Sequence, residues 1–146
     1  MKTIALRFAE NFAPKAGTIA EHERLISSNG YVWYGKLGSA VSTSVINEIL
    51  LNDSPRILLI HSGKAIRFWA FVESIQNETP DKQFIPEYYR ERTQDFKTWF
   101  KVIRFEVAPS DVLSKCIVSS SKRPLSEVSR SSMNPYFIIE TEGLTK

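Results

Sequence analysis

The feature that most constrains the fold is a pair of apolar runs joined by a short turn. The first run is ILLI, within residues 56–61, and the second is AIRFWAFVESI, with alternate residues from Ile66 to Val72 on one side. The turn between them is Ser62-Gly63-Lys64. Two extended runs around a short glycine turn are typical of a β-hairpin, so the sequence predicts an antiparallel strand pair here.

Three segments that precede this hairpin have clear periodicity. Residues 4–8 alternate between large apolar and other side chains, which predicts a strand with one buried face. Thr18 and Glu21 have capping-box spacing, and Asn29-Gly30 supplies a left-handed terminal residue, so a short helix is expected between them. Apolar residues recur at helical spacing from Ser39 to Leu51, which predicts an amphipathic helix.

The second half of the chain adds more strands. A polar insertion over residues 76–94 is followed by a strong strand pattern from Trp99 to Val107. Ser110 is expected to cap a single helical turn through Leu113, Ile117-Val118 starts an extended piece, and Tyr136 to Ile139 form a last strand. Five to seven strands with two or three short helices predict one α+β domain over residues 1–146, built around a curved mixed sheet or small open barrel.

Composition and charge indicate the environment of the protein. The 146 residues carry a net charge of +3, which suits an anionic partner without demanding one. Cys116 is the only cysteine, so an intramolecular disulfide is impossible and a reducing cytoplasm is expected. Arg7 and Glu10 interrupt any signal-peptide apolar region, and no apolar run approaches the roughly 20 residues of a membrane span.

The sequence lacks the spacing of known catalytic or metal-binding motifs. His22, His61 and Cys116 are scattered, without the short spacings that bring metal ligands together. There is no Gly-x-Ser-x-Gly segment, and the Ser62-Gly63-Lys64 turn lacks the upstream glycine and following helix of a phosphate loop. We therefore expect no catalytic residue, no metal and no cofactor.

The aromatic residues are the most informative side chains for function. The segment GYVWYGKLGS, residues 30–39, places Trp33 and Tyr34 just ahead of Lys36. Such rings either fill a core, as large aromatics often do, or line a pocket in which a planar base stacks for about 1–3 kcal/mol. Nearby cations would then contact phosphate: Lys36, Lys64, Arg67, Lys97 and Lys101.

The order of these elements resembles a known family. GYVW after the first helix, the RILLIHSGKAIRFWAFVESI hairpin, the WFKVIRFEV strand and the SSKRPLSEVSR tail together look like the EVE and YTH domains of the PUA-like superfamily. The resemblance extends from about Leu25 to Ile139. It implies an open barrel flanked by helices that binds DNA or RNA by holding a flipped base, often a modified one, in an aromatic cage. EVE-like domains also form the DNA-reading part of modification-dependent restriction proteins of the McrB type.

The resemblance assigns candidate site residues. Trp33 matches the cage tryptophan, Tyr34 is its neighbour, and Trp99 is the nearest match to the second cage aromatic, with Phe96 and Tyr89 as rivals. The tail matches a YTH stretch whose basic and hydroxyl groups lie near phosphate. The resemblance therefore adds Lys122, Arg123, Ser129 and Arg130 to the phosphate-binding candidates near the aromatics, which are Lys36, Lys64, Lys97 and Lys101.

The favoured interpretation is a monomeric binding domain for DNA or RNA, methylated or unmodified, that is not an enzyme. Two alternatives stay open. A related ASCH-type domain would hydrolyse nucleosides with a lysine and a glutamate in the same cleft. A protein-interaction domain would instead present its aromatics as an exposed patch, and its binding would not depend on salt.

The salt dependence of binding is the first testable consequence. If the basic candidates make about three phosphate contacts, the logarithm of the affinity should fall against the logarithm of the salt concentration with a slope of about −2 to −3. Titration of a fluorescent oligonucleotide at several salt concentrations measures this slope. Binding that stays constant from low to high salt would support the protein-interaction alternative.

Overall fold

The computed structural model describes residues 1–7, 18–37, 39–60, 66–81, 85–86, 93–132 and 136–141. Seven strands and four helices lie in these ranges. In chain order they are β1 (Lys2–Arg7), α1 (Thr18–Asn29), β2 (Val32–Leu37), α2 (Thr43–Leu50), β3 (Arg56–Ile60), β4 (Phe68–Gln76), β5 (Phe96–Val107), α3 (Val112–Lys115), β6 (Cys116–Val118), α4 (Leu125–Ser131) and β7 (Tyr136–Thr141).

The strands form one mixed sheet. Their order is β2-β5-β4-β3-β1-β7-β6. β1 pairs parallel with β3, and the other neighbouring strands pair antiparallel. The parallel pair is possible because a long connection that contains α1, β2 and α2 separates its strands. The predicted α+β class with a curved mixed sheet is confirmed.

The predicted hairpin is confirmed as β3 and β4. Arg56 pairs with Phe71 and Leu59 with Phe68, in antiparallel register. The second strand begins later than expected, since Ile66 lies before β4 and is 55% exposed. Residues 61–65, which include the turn, lie outside the described residues.

Both faces of the central strands are buried, so the sheet separates two cores. On β4, Ala70 and Val72 contribute to an inner core with α1 and α2, whereas Trp69 contributes to an outer core with α3 and α4. β1 behaves in the same way: Ile4 belongs to the inner core and Ala5 to the outer core. The prediction of one buried face for this first strand was therefore wrong, because helices cover it on both sides.

Two helix ends follow the local sequence. Gly30 has φ of +88°, and its N–H donates to the carbonyl of Ile26 at 2.7 Å, which confirms the predicted end of α1. α2 begins at Thr43 rather than near Ser39, with the Ser42 hydroxyl accepting from the Val45 N–H at 3.3 Å. The Val41 N–H instead donates to the Thr98 hydroxyl at 2.8 Å, which holds this residue outside the helix.

The helices of the C-terminal half differ from the prediction. α3 starts at Val112 after Asp111, whose side chain makes no capping bond, so the predicted cap at Ser110 was wrong. A further helix, α4, was not predicted; it follows Pro124 and buries Leu125. Proline is well tolerated at a helix start because its missing N–H has no partner there in any case.

The sheet curls until β2, at one edge, meets β7, the strand next to the other edge. Lys36 lies near the end of β2, an edge strand, and its Nζ is 4.3 Å from the ring centroid of Tyr136 at the start of β7. The same Nζ donates to the carbonyl of Ser39 at 2.6 Å. Only 4% of Lys36 is exposed, and burial lowers the pKa of its ammonium group. Lys36 therefore joins the two ends of the curled sheet.

Replacing Lys36 by Met tests this closure, because the variant keeps the buried aliphatic stem and loses only the charged contacts. The cation–π contact and the charged hydrogen bond are each worth about 1–2 kcal/mol, partly offset by relief of ion burial. We expect Lys36→Met to lower the free energy of unfolding in urea by about 1–2 kcal/mol. The control Lys97→Met removes an exposed lysine and should change it by less than about 0.5 kcal/mol. Equal effects of the two variants would contradict the closure.

Candidate nucleic-acid interface

Four buried side chains form a third cluster, separate from the inner and outer cores. Trp33 on β2, Phe96 and Trp99 on β5, and Ile85 from the connection between β4 and β5 pack together, with Tyr31 against them. We call this set the aromatic cluster. It brings together three of the five predicted cage residues: Trp33, Phe96 and Trp99.

A β-bulge aligns the two aromatic residues of β5. Leu37 pairs with Phe96 and Lys36 with Thr98, so the register passes over Lys97. The extra residue changes the alternation of side chains, and Phe96 therefore shares a face with Trp99. The two ring centroids are 5.2 Å apart at an interplanar angle of 56°, within the range of favourable aromatic pairs.

Gly35 lets these rings lie directly against β2. A Cβ atom at this position would lie 2.7 Å from the Phe96 ring and 3.0 Å from Cζ3 of Trp99. Glycine is therefore the residue that this close approach requires. A glycine between aromatic residues in a strand pattern was the sequence signal for this contact, and the sequence analysis did not use it.

The aromatic cluster is closed in this structure. Trp33 is 8% exposed, Phe96 5% and Trp99 0%, whereas the cage role predicted for Trp33 requires a partly exposed ring that faces an open cleft. Ile85, which the sequence analysis did not single out, is fully buried among the rings. That expected open cleft is thus not seen, and contact of these residues with a base stays a prediction.

Tyr34 lies apart from the aromatic cluster. It alternates with Trp33 along β2, belongs to the inner core, and has its ring centroid 5.1 Å from that of His22. In this structure Tyr34 is therefore not a wall of the same pocket. Tyr89, predicted as a cage residue, and Lys64, predicted as a phosphate contact, lie outside the described residues.

Hydrogen bonds hold the start of the β4–β5 connection next to β5. The Thr98 hydroxyl donates to Oδ1 of Asn77 at 2.7 Å and accepts from the N–H of Val41 at 2.8 Å. Asn77 Nδ2 also approaches the Val41 carbonyl at 3.4 Å. Thr98 is fully buried, so this set of bonds joins β5, the entry to α2 and the connection that carries Ile85.

A cationic rim lies beside the aromatic cluster. Lys101 pairs across the strands with Trp33, and its Nζ lies 4.3 Å from the ring centroid of Tyr31. The same Nζ is 2.9 Å from Oε1 of Glu73. Lys97, in the bulge, is exposed and has no ion-pair partner among the described residues. Among the predicted phosphate contacts, Lys97 and Lys101 are the two on β5, the strand of Phe96 and Trp99; Lys101 shares the face of Trp33, and Lys97 is exposed in the bulge.

Lys36 does not belong to this rim. It was expected to meet phosphate beside Trp33, but three residues along a strand place the two side chains on opposite faces. Lys36 is buried against Tyr136 on the inner side of the sheet. An exposed phosphate contact from this lysine is therefore not compatible with the structure.

The tail candidates make contacts within their own part of the chain. Lys122 Nζ lies 3.0 Å from Oε2 of Glu140, and the Arg123 guanidinium pairs with Glu127. Arg130 Nε donates to the carbonyl of Ser126 at 2.9 Å, and the carbonyl of Ser129 accepts from Arg7 at 2.7 Å. The structure thus places this group in the turn between β6 and α4 and on α4, not on the strands of the aromatic cluster, and their contact with phosphate stays a prediction.

Cys116 is positioned as a core residue. It is fully buried in the outer core, and burial raises the pKa of its thiol to about 12. A thiol with that pKa is protonated at neutral pH and is a poor nucleophile. In the parts of the chain that the structure describes, no group of three or more His, Cys, Asp or Glu side chains could hold a metal ion. No helix within those parts is long and apolar enough to cross a membrane.

The curled mixed sheet, with helices on both sides and an aromatic cluster near one edge, defines a small α+β domain of the open-barrel type. The family model described as Pua-like matches residues 4–144, so the chain belongs to the Pua-like family. Domains of this kind are commonly RNA- or DNA-binding modules. Searches of curated proteins and of solved structures found no match.

Trp33→Ala tests whether the cluster is closed in solution. A buried tryptophan truncated to alanine leaves a cavity that costs about 3–5 kcal/mol of stability. We expect a loss of this size in urea unfolding, with a clear drop in melting temperature. An unchanged melting temperature together with weakened oligonucleotide binding would show that Trp33 is an exposed cage wall in solution.

Proposed function

We propose that this protein is a nucleic-acid binding module of the EVE/YTH type, without catalytic activity, that accepts an extruded base into the aromatic cluster. The target is DNA or RNA with a modified or unmodified base. The observation that carries the proposal is the position of the cluster: three large rings near the edge of the sheet, separate from the two cores that the helices cover. Small clusters of this kind lie beneath long loops, apart from the main core, and here the loop is the connection that carries Ile85.

The chemistry of the cluster suits a planar base. Base–aromatic stacking is worth about 1–3 kcal/mol per base and tolerates different bases, because every base has a π face. Since Trp33, Phe96 and Trp99 are closed around Ile85 in the free protein, binding requires the Ile85 side chain to give way. That requirement favours bases that are already unpaired, because extrusion from a duplex costs a few kcal/mol more.

The rim supplies a contact for the phosphate that accompanies the base. Lys101 is partly exposed and its partner Glu73 more so, and such an exposed ion pair is worth only about 0–1 kcal/mol. Exchange of the carboxylate for a phosphate therefore costs little. Lys97, exposed in the bulge that follows Phe96, is a second cation on the same strand.

One observation favours the hydrolase alternative as a second candidate. Lys101 and Glu73 are a lysine and a glutamate 2.9 Å apart beside the aromatic cluster, which is the pair of residue types that an ASCH-like nucleoside hydrolase would use. Incubation with acylated nucleosides tests this candidate. Product formation that is abolished by Glu73→Gln would replace the binding function by an enzymatic one.

Oligonucleotide binding by lysine variants tests the binding function. Lys101→Ala should weaken binding of a single-stranded oligonucleotide and reduce the magnitude of the salt slope by about one, since one phosphate contact is lost. The matched control is Lys115→Ala on α3. This change also removes a lysine paired with a carboxylate, since Lys115 Nζ lies 3.8 Å from Oδ2 of Asp111. Fluorescence anisotropy at several salt concentrations, with methylated and unmodified oligonucleotides, provides the measurement.

Two results would contradict the proposed function. Absence of binding to every DNA and RNA oligonucleotide at low salt would exclude nucleic acid as the partner. Equal losses for Lys101→Ala and Lys115→Ala would show that only net charge matters and that the rim of the aromatic cluster is not the interface.

A further inference from the structure

Trp99 carries a polar group that has no partner. The residue is fully buried, and its indole Nε1–H donates to no acceptor in the parts of the chain that are described. More than about 90% of buried polar groups in folded proteins have a hydrogen-bond partner, so each exception calls for an explanation. Because the donor lies inside the aromatic cluster, the explanation that we consider is a ligand.

The orientation of the indole explains why the backbone of β2 does not satisfy this donor. The Trp99 atom nearest to a Cβ built on Gly35 is Cζ3, which belongs to the six-membered ring. The six-membered ring therefore lies against β2. Nε1 belongs to the five-membered ring, at the opposite end of the bicycle, so the N–H group is held away from the β2 backbone at that point.

Ile85 buries the indole without satisfying it. Its side chain is a hydrocarbon, has no lone pair to accept a hydrogen bond, and is itself fully buried in the cluster. As a neighbour in the packed cluster it helps to exclude water, which would otherwise be the natural acceptor for an unpaired N–H. The free protein thus keeps a desolvated donor among the side chains of the aromatic cluster.

We propose that the Trp99 Nε1–H is a specificity-determining donor that Ile85 covers in the free protein and that an entering base uncovers. This inference rests on the proposed function. The base that replaces Ile85 must present an acceptor, either a ring nitrogen or a carbonyl oxygen, toward Trp99. The N–H is already without water in the free protein, so ligand binding adds no further desolvation cost for this donor. The new hydrogen bond therefore contributes most of its free energy to binding. A site built in this way rejects planar rings that lack the acceptor.

A small-molecule probe tests the donor without nucleic acid. Ile85→Ala removes the cover and leaves space beside the indole, as truncation of a buried isoleucine does. Benzimidazole has an acceptor nitrogen in a planar bicycle, and indene has a similar shape without one. In a nitrogen–proton NMR correlation spectrum, the indole signal that disappears in Trp99→Phe identifies the Trp99 donor.

We expect benzimidazole to shift the signal of the Trp99 indole proton downfield in the Ile85→Ala variant. Indene should cause no such shift. The matched control is Ile46→Ala, which truncates a buried isoleucine of α2 in the inner core and should show no such response. If Ile85→Ala does not fold, Ile85→Val provides a smaller truncation for the same measurement. Equal responses to the two compounds, or a response to neither, would overturn the proposal.

An oligonucleotide arm separates this inference from the proposed function. Removing the cover raises the population of open protein, so Ile85→Ala should bind a single-stranded oligonucleotide severalfold more tightly than the unmodified chain. If oligonucleotides bind but the indole proton does not respond to benzimidazole, the donor role alone fails. If the proton responds but no oligonucleotide binds, the donor site remains and nucleic acid is not its ligand.

Discussion

The pairing of β1 with strands from two distant parts of the sequence is the interaction on which the rest of the structure depends. Residues 2–7 hydrogen-bond in parallel to β3 on one side and antiparallel to β7 on the other. Both faces of β1 are buried, by Ile4 in the inner core and Ala5 in the outer core. Without this strand, the hairpin of β3 and β4 would lose its connection to β7 and β6, and neither core would be complete.

The division of the side chains among three clusters shows how one sheet provides both stability and a candidate site. The long strand β5 contributes to all three, since Phe100 faces the inner core, Trp99 belongs to the aromatic cluster and Ile103 packs against the outer core. Burial of apolar surface, worth about 25 cal/mol per Å², therefore stabilises the strand on one face independently of the other. In the proposed binding function, this independence would let the aromatic cluster change its packing around a ligand while the inner core holds the strand in place.

The ion pair beside the aromatic cluster is weak enough for its carboxylate to be exchanged for another anion. Lys101 contacts a carboxylate and an aromatic ring, both at the rim, and its ion pair is exposed enough to be broken at little cost. Lys36 has the opposite role, because it is buried and joins the ends of the curled sheet. Two lysines on neighbouring strands thus differ in function because their side chains lie on opposite faces of the sheet.

The sequence by itself determined the elements that depend on local patterns: the β3–β4 hairpin, the left-handed Gly30 that ends α1, and the grouping of aromatic residues near basic ones. Only the tertiary structure decided which faces these residues occupy. The bulge at Lys97 turns Phe96 toward Trp99, and the helices packed on both sides of the sheet bury both faces of β1. The physical reason is that strand periodicity repeats every two residues, so a single bulge reverses the facing of a side chain. Pairing between distant strands depends on packing of the whole chain, which local sequence patterns do not specify.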